Sequence, residues 1–126
     1  MMFAEFFLNR FKEKGNNHAI IWRNNKVTYQ EIIDKYYILK SWLRNNDVQQ
    51  GDVVGVAADF SPNSIAVILC LIELNCIVVP LSNKNDPLQE EKAIISGIKY
   101  LIKIDNTDIF NIKQYGEFLS NEYYEH

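Results

Sequence analysis

Gly51-Asp-Val-Val-Gly-Val-Ala-Ala-Asp-Phe-Ser-Pro-Asn-Ser64, then Ile65 to Leu74, then Asn75-Cys-Ile-Val-Val-Pro-Leu81, reads as a strand, a tight turn, a buried helix and a second strand. This is the βαβ unit of a parallel sheet. Val53, Val54, Val56 and Ala57 make a short run rich in β-branched residues, as expected of a strand covered on both faces. Ser61 can cap the following helix with its hydroxyl, and Pro62 suits the first helical position, where no N–H is needed. From Ile65 to Ile72 the helix is apolar on every side, so it is expected to lie between other layers. Asn75 stands where a helix ends in the left-handed conformation, and Ile77 to Val79 starts the next strand.

Working outward toward the N-terminus, Phe3, Phe6, Phe7, Leu8 and Phe11 recur at helical spacing, which predicts an amphipathic helix over residues 3–14 ended by Lys14-Gly15. Ala19 to Trp22 and Lys26 to Thr28 flank Arg23-Asn24-Asn25 and read as a small hairpin. Thr28-Tyr-Gln-Glu31 has capping-box spacing, with Val27 and Ile32 at the two staple positions. The helix it opens carries Tyr29, Ile32, Ile33, Tyr36, Leu39 and Leu43 on one face and is expected to end near Asn45.

Toward the C-terminus, Ser82 to Asp86 reads as a surface loop, with Asp86 as cap and Pro87 as first residue of a short helix reaching about Gly97. Tyr100-Leu-Ile-Lys-Ile104 is a third strand. Residues 105–126 read as a weakly specified tail, in which Ile109, Phe110, Ile112, Tyr115, Phe118 and Leu119 suggest a last helix. The expected class is α/β: a twisted, mostly parallel sheet with helices on both faces, plus a small N-terminal hairpin.

The length of 126 residues fits one domain or a piece of one, and 48% apolar with 23% charged residues argues against disorder. Residues 1–50 hold 8 basic and 5 acidic side chains and the rest 5 and 11, without a basic stripe interleaved with aromatics, so nucleic acid is not an expected partner. The eight-residue run Ile65 to Ile72 is the longest apolar stretch, well short of the roughly 20 residues that span a bilayer. Met1-Met-Phe-Ala-Glu5 lacks a basic n-region, and a cytoplasmic address is expected. Cys70 and Cys76 lie in or beside the buried helix, without Cys-x-x-Cys spacing, and read as structural.

Chemistry is sparse. The turn after the first strand is where a phosphate loop would sit, but Asp59-Phe-Ser-Pro-Asn-Ser64 has no glycine, sets a carboxylate where an anion would lie and loses a donor at Pro62. His18 and His126 form no pair, Glu90-Glu91 diverge on a helix and read as solvated, and Ser61 has no neighbouring base. From the residues themselves no catalytic, cofactor-binding or metal-binding position is assigned, and the substrate-binding residues are unknown.

Val27-Thr-Tyr-Gln-Glu-Ile32, Val48-Gln-Gln-Gly-Asp-Val-Val-Gly-Val56, Ser61-Pro-Asn-Ser64 with its apolar helix, and Val79-Pro-Leu81, in this order over residues 18–104, resemble the N-terminal part of the AMP-forming adenylating enzymes. That family includes acyl-CoA synthetases, firefly luciferase and the adenylation domains of nonribosomal peptide synthetases. The sequence departs from the pattern at Leu74-Asn75-Cys76, where the family usually has Ala-Gly-Ala, and at Ser82, often Asp. The resemblance implies a parent enzyme that uses ATP and magnesium to adenylate a small carboxylic acid and passes the acyl group to a thiol, usually of coenzyme A. It implies that residues 1–126 are part of an N-terminal subdomain, that the phosphate-gripping loop and catalytic lysine come later, and that the remainder of the parent is this segment's partner. The segment alone is expected to be inactive, to bind no cofactor itself and to be prone to self-association. The alternative is a free-standing flavodoxin-like or receiver-like module. Asp59 could serve a receiver but lacks an acidic partner, and Ser61 and Ser64 are a poor flavodoxin phosphate loop. A third reading is a naturally short relative acting as an interaction protein.

Overall fold

The computed structural model describes residues 2–82 and 87–115. The chain opens with α1 (Met2–Lys14), which turns at Gly15 into a hairpin of β1 (His18–Trp22) and β2 (Asn25–Thr28). The hairpin turn is tighter than the three residues expected: Arg23 and Asn24 alone make it, with φ of 51° and 66°. Two successive positive φ values match the right-handed twist of the strands. Then come α2 (Tyr29–Asn45), β3 (Val53–Ala58), α3 (Pro62–Glu73), β4 (Ile77–Leu81), α4 (Gln89–Ile95), β5 (Tyr100–Ile104) and β6 (Phe110–Gln114).

β1 and β2 pair as a separate antiparallel ribbon, and the main sheet has the order β4-β3-β5-β6. β3 is parallel to both β4 and β5, with Val54 opposite Val78 on one side and Tyr100 on the other, while β6 runs antiparallel to β5. The step from β3 to β4 goes one way and the step from β4 to β5 crosses back over β3, so the two connecting helices cover opposite faces. On the first face Val54, Val56, Tyr100, Ile102 and Ile104 pack with Ala66, Val67 and Cys70 of α3 and with Tyr36, Leu39 and Leu43 of α2. On the second, Ala57 and Leu101 pack with Ala93 of α4 and with Ile98. Gly55 belongs here for a steric reason: a Cβ would lie 3.0 Å from Ile98 Cδ1 and 3.1 Å from Leu81 Cδ1.

The apolar helix is the middle layer, as its lack of a polar stripe predicts. Ala66, Val67 and Leu71 are fully buried between the sheet and α1 and α2, with Ile68 the one side chain that opens outward, at 38% exposure. Both ends of α3 are closed by local chemistry. The Ser61 hydroxyl accepts from the Ser64 N–H at 3.1 Å, and the Ser64 hydroxyl accepts from the Ser61 N–H at 2.9 Å, a reciprocal box of two serines. At the other end Asn75 takes φ 56°, the Cys76 N–H bonds the Leu71 carbonyl and the Asn75 N–H bonds that of Ile72, the pattern of a left-handed helix stop. Leu74 and Cys76 flank this stop without disturbing it. At α2 the Thr28 hydroxyl accepts from the Glu31 N–H at 3.1 Å, and Val27 and Ile32 are buried around the cap. The return bond from the Glu31 side chain is not made there, so only half of the expected box forms.

Two further expectations are corrected. The tail is not helical over 109–115: Phe110 to Gln114 is a strand, and the alternation Phe110, Ile112 sets both side chains on the α2 face, with Phe110 edge-on to Trp42 at 4.7 Å. Apolar residues spaced at 109, 112 and 115 mimic a helical period, but the tight turn before them and an open sheet edge favour the strand. The fourth helix starts later than expected: Leu88 is the cap position and Pro87 lies in the turn before it. Asp86, Phe118 and Leu119 lie outside the described residues, as do the side chains of Phe3 and Glu90.

Candidate functional site

In an open parallel sheet, ligands sit beyond the C-terminal ends of the strands where the strand order reverses. Here that point lies between β3 and β5. It forms a crevice of about 110 Å³ lined by Asp59, Phe60, Ser61, Asp105 and Asn106, and closed from the side by Trp22 and Arg23 of the hairpin. The hairpin therefore helps to wall the switch point. Arg23 lies over the Trp22 ring at 5.2 Å and faces two carboxylates.

The start of α3 is the element of this crevice that could hold an anion, because the first N–H groups of a helix lack partners within it. Every one of them is used. Pro62 has none to give, the Ser64 N–H is taken by Ser61, and the Ile65 N–H bonds the Ser61 carbonyl at 3.2 Å. The remaining donor, the Asn63 N–H, points at both carboxylate oxygens of Asp108, each 3.3 Å away. The Asn63 side chain donates to the Asp108 carbonyl at 2.8 Å, so the two residues grip each other. The Asp108 carboxylate, supplied by the chain itself, thus meets the one N–H at the start of α3 that has no partner within the helix or its cap.

Asp108 is aimed by the turn that precedes it. Asp105 Oδ1 accepts from the Thr107 hydroxyl at 2.7 Å, the Thr107 N–H at 2.8 Å and the Ile109 N–H at 3.0 Å. These donors favour the ionised form, and the hydroxyl bond first among them holds the Asp105 carboxyl below its ordinary value of 3.8. The clasp folds Asp108 into the left-handed region at φ 68°, which brings its carboxylate over Asn63. Sequence reading missed Asp108 because its partner lies 45 residues away and nothing local marks the pair.

The other candidates fall as structural residues or stand apart. Ser61 is 3% exposed and its hydroxyl is committed to the cap, so it is not presented as a nucleophile. Asp59 is exposed beside Phe60, and His18 is exposed at the start of β1. Cys70 donates to the Tyr36 carbonyl at 3.3 Å, and burial pushes its thiol up to about 12. Burial first, then the Asp52 carboxylate, raises the Cys76 thiol. Among the described residues no three His, Cys, Asp or Glu side chains converge as metal ligands, and no helix is long and apolar enough to cross a membrane.

This switch point, walled by a hairpin, accompanies a specific kinship. Residues 7–114 match the family model described as AMP-binding enzyme. The chain belongs to that family. Among curated relatives, bacitracin synthase 2 of Bacillus licheniformis is 28% identical over 109 residues, covering 86% of this chain and 4% of that protein. The 4-hydroxybutyrate–CoA ligase 1 of Metallosphaera sedula is 32% identical over 94 residues, 70% of this chain and 16% of the ligase. In structure, the Klebsiella oxytoca NpsA N-terminal subdomain in complex with 3-hydroxybenzoyl-AMSN matches 82% of this chain and 27% of its own at TM-score 0.67 and 26% identity. A four-domain nonribosomal peptide synthetase bound to AMP and glycine matches 80% of this chain and 8% of its own at TM-score 0.67 and 27% identity. The chain thus spans a small part of each relative, and within the NpsA subdomain about a quarter.

Proposed function

We propose that this chain serves as the first part of the N-terminal subdomain of an AMP-forming ligase, the whole of residues 1–126 belonging to that subdomain. The observation that carries the reading is the likeness to an N-terminal subdomain across 82% of the chain, taken with a switch point whose anion place is filled by Asp108. A segment built this way supports its neighbours and leaves nucleotide handling to other parts. The chain's own residues then supply no catalytic, cofactor-binding or metal-binding group. ATP and Mg²⁺ would be gripped elsewhere in the larger enzyme, which would adenylate a small carboxylic acid. The acceptor thiol is coenzyme A or a carrier-bound thiol. A CoA ligase and peptide synthetases stand among the relatives, and both chemistries follow the same acyl-adenylate step. A cytoplasmic location accords with these cosubstrates.

An apolar groove of about 260 Å³ beside the β4 edge, lined by Phe60, Ile65, Ile68, Val78 and Pro80, supports the companion proposal that the isolated chain self-associates. Phe60 is 61% exposed there, an apolar ring that a second copy could cover.

The test is to assay the chain alone, and joined to the reading frame downstream of its codon 126, for ATP–pyrophosphate exchange with a panel of carboxylic acids. Exchange is expected only for the extended protein. Exchange by the chain alone, or a downstream frame that lacks a Ser/Thr/Gly-rich loop, overturns the reading.

A further inference from the structure

The two ends of the main sheet differ in chemistry. β6 alternates: Phe110 and Ile112 pack on the α2 face, while Asn111 and Lys113 are exposed, the pattern of a strand with one solvated face. β4 does not alternate. Ile77-Val-Val-Pro-Leu81 is apolar at every position, the pattern of a strand covered on both faces, yet β4 lies at the edge of the sheet. Val79 and Leu81 pack on the α4 face, and Ile77, on their side of the strand, opens to solvent there at 57% exposure. The cover on that face is short: α4 has seven residues and is about 10 Å long, against roughly 17 Å for the five-residue strands β4 and β5. On the opposite face, the groove beside β4 leaves Phe60 61% exposed. The β4 edge is therefore apolar and incompletely covered on both faces.

We propose that the β4 edge is the seam at which the remainder of the ligase subdomain closes on this segment, packing apolar side chains on both faces of β4. The inference rests on the functional reading above. The length of chain outside the structure argues for that occupant: the match to the NpsA N-terminal subdomain takes in 82% of this chain but only 27% of that one, so most of such a subdomain lies beyond this segment. Backbone geometry sets the kind of contact. The Ile77 N–H bonds the Asp52 carbonyl at the foot of β3, so Ile77, Val79 and Leu81 turn their backbone groups toward β3, and Val78 and Pro80 turn theirs outward. Pro80 has no N–H, which leaves Val78 as the one outward donor of β4, too few to carry a further ladder. An edge blunted against strand addition but apolar above and below selects a partner that clasps it through side chains.

The test is hydroxyl-radical footprinting, read by mass spectrometry, of the chain alone at high dilution and of the protein extended through the downstream reading frame. Oxidation of Phe60 and Ile77 is expected to slow roughly tenfold in the extended protein, because a covered core side chain keeps about 5% of its surface. Ile109, exposed beside β6, is expected to keep its rate. Equal slowing at Ile109 overturns the seam, because burial then shows no preference for the β4 edge. An extended protein that exchanges pyrophosphate into ATP while Phe60 and Ile77 oxidise as in the chain alone overturns the inference and leaves the functional reading standing. Protection without exchange overturns the functional reading and supports the seam, and neither protection nor exchange overturns both. Protection in the extended protein that appears only as its concentration is raised assigns the seam to a second copy and overturns the choice of occupant.

Discussion

Asp108→Ala tests the interaction that defines the switch point. The substitution removes the anion that meets the Asn63 N–H, and with it a charge-assisted hydrogen bond whose two 3.3 Å arms share one donor. Long arms place that bond at the weak end, about 1 kcal/mol. Loss of a negative charge at a helix start removes about 0.5–1 kcal/mol more. Alanine must also adopt φ 68°, a left-handed conformation that costs roughly 1 kcal/mol for a residue with a Cβ and no local hydrogen bond. Together the expected loss is about 2–3 kcal/mol, a large share of a stability of roughly 5–15 kcal/mol. Urea denaturation followed by tryptophan fluorescence reads it, since Trp42 packs against Phe110 just beyond the turn. Asp108→Gly removes the strain but not the lost bond and should recover about 1 kcal/mol. Asp108→Asn keeps an acceptor and tolerates the left-handed backbone, so it should lose less than 1 kcal/mol. A wild-type midpoint for Asp108→Ala, or equal losses for the alanine and asparagine variants, would show that the carboxylate does not cap α3.

Acid should weaken the same turn. Asp105 has its folded carboxyl held below 3.8, so its contribution is fully present above that value and is lost as pH falls through the lower folded value. Asp105→Asn should therefore flatten the stability profile below pH 3.8, and an identical acid limb in both proteins would count against the clasp. With a thiol reagent at neutral pH, Cys76 should be labelled well before Cys70, whose thiol is buried and pushed up to about 12. Equal rates in the native protein would contradict the layer order. Gly55→Ala should destabilise by about 1–2 kcal/mol, since its methyl meets Ile98, Leu81 and Leu101 at 3.0–3.3 Å. A neutral result would mean that the α4 side of the sheet yields freely.

The elements of this protein whose signals are local were legible in its sequence. Ser61-Pro62 opens α3 and Asn75 closes it because caps and left-handed stops act within a few residues, and the apolar circumference of Ile65 to Ile72 by itself demands a middle layer. Two β-branched strands around such a helix fix a parallel pair, and the ordered motifs from Val27 to Leu81 carry the family. What lies in residues far apart was decided by tertiary structure. Phe110 to Gln114 has a period compatible with helix or strand, and became a strand because the free edge of β5 and the Trp42 ring were there to receive it. The grip of Asp108 on Asn63 exists only once β3 and β5 lie side by side, which sets the turn after one strand over the helix that follows the other.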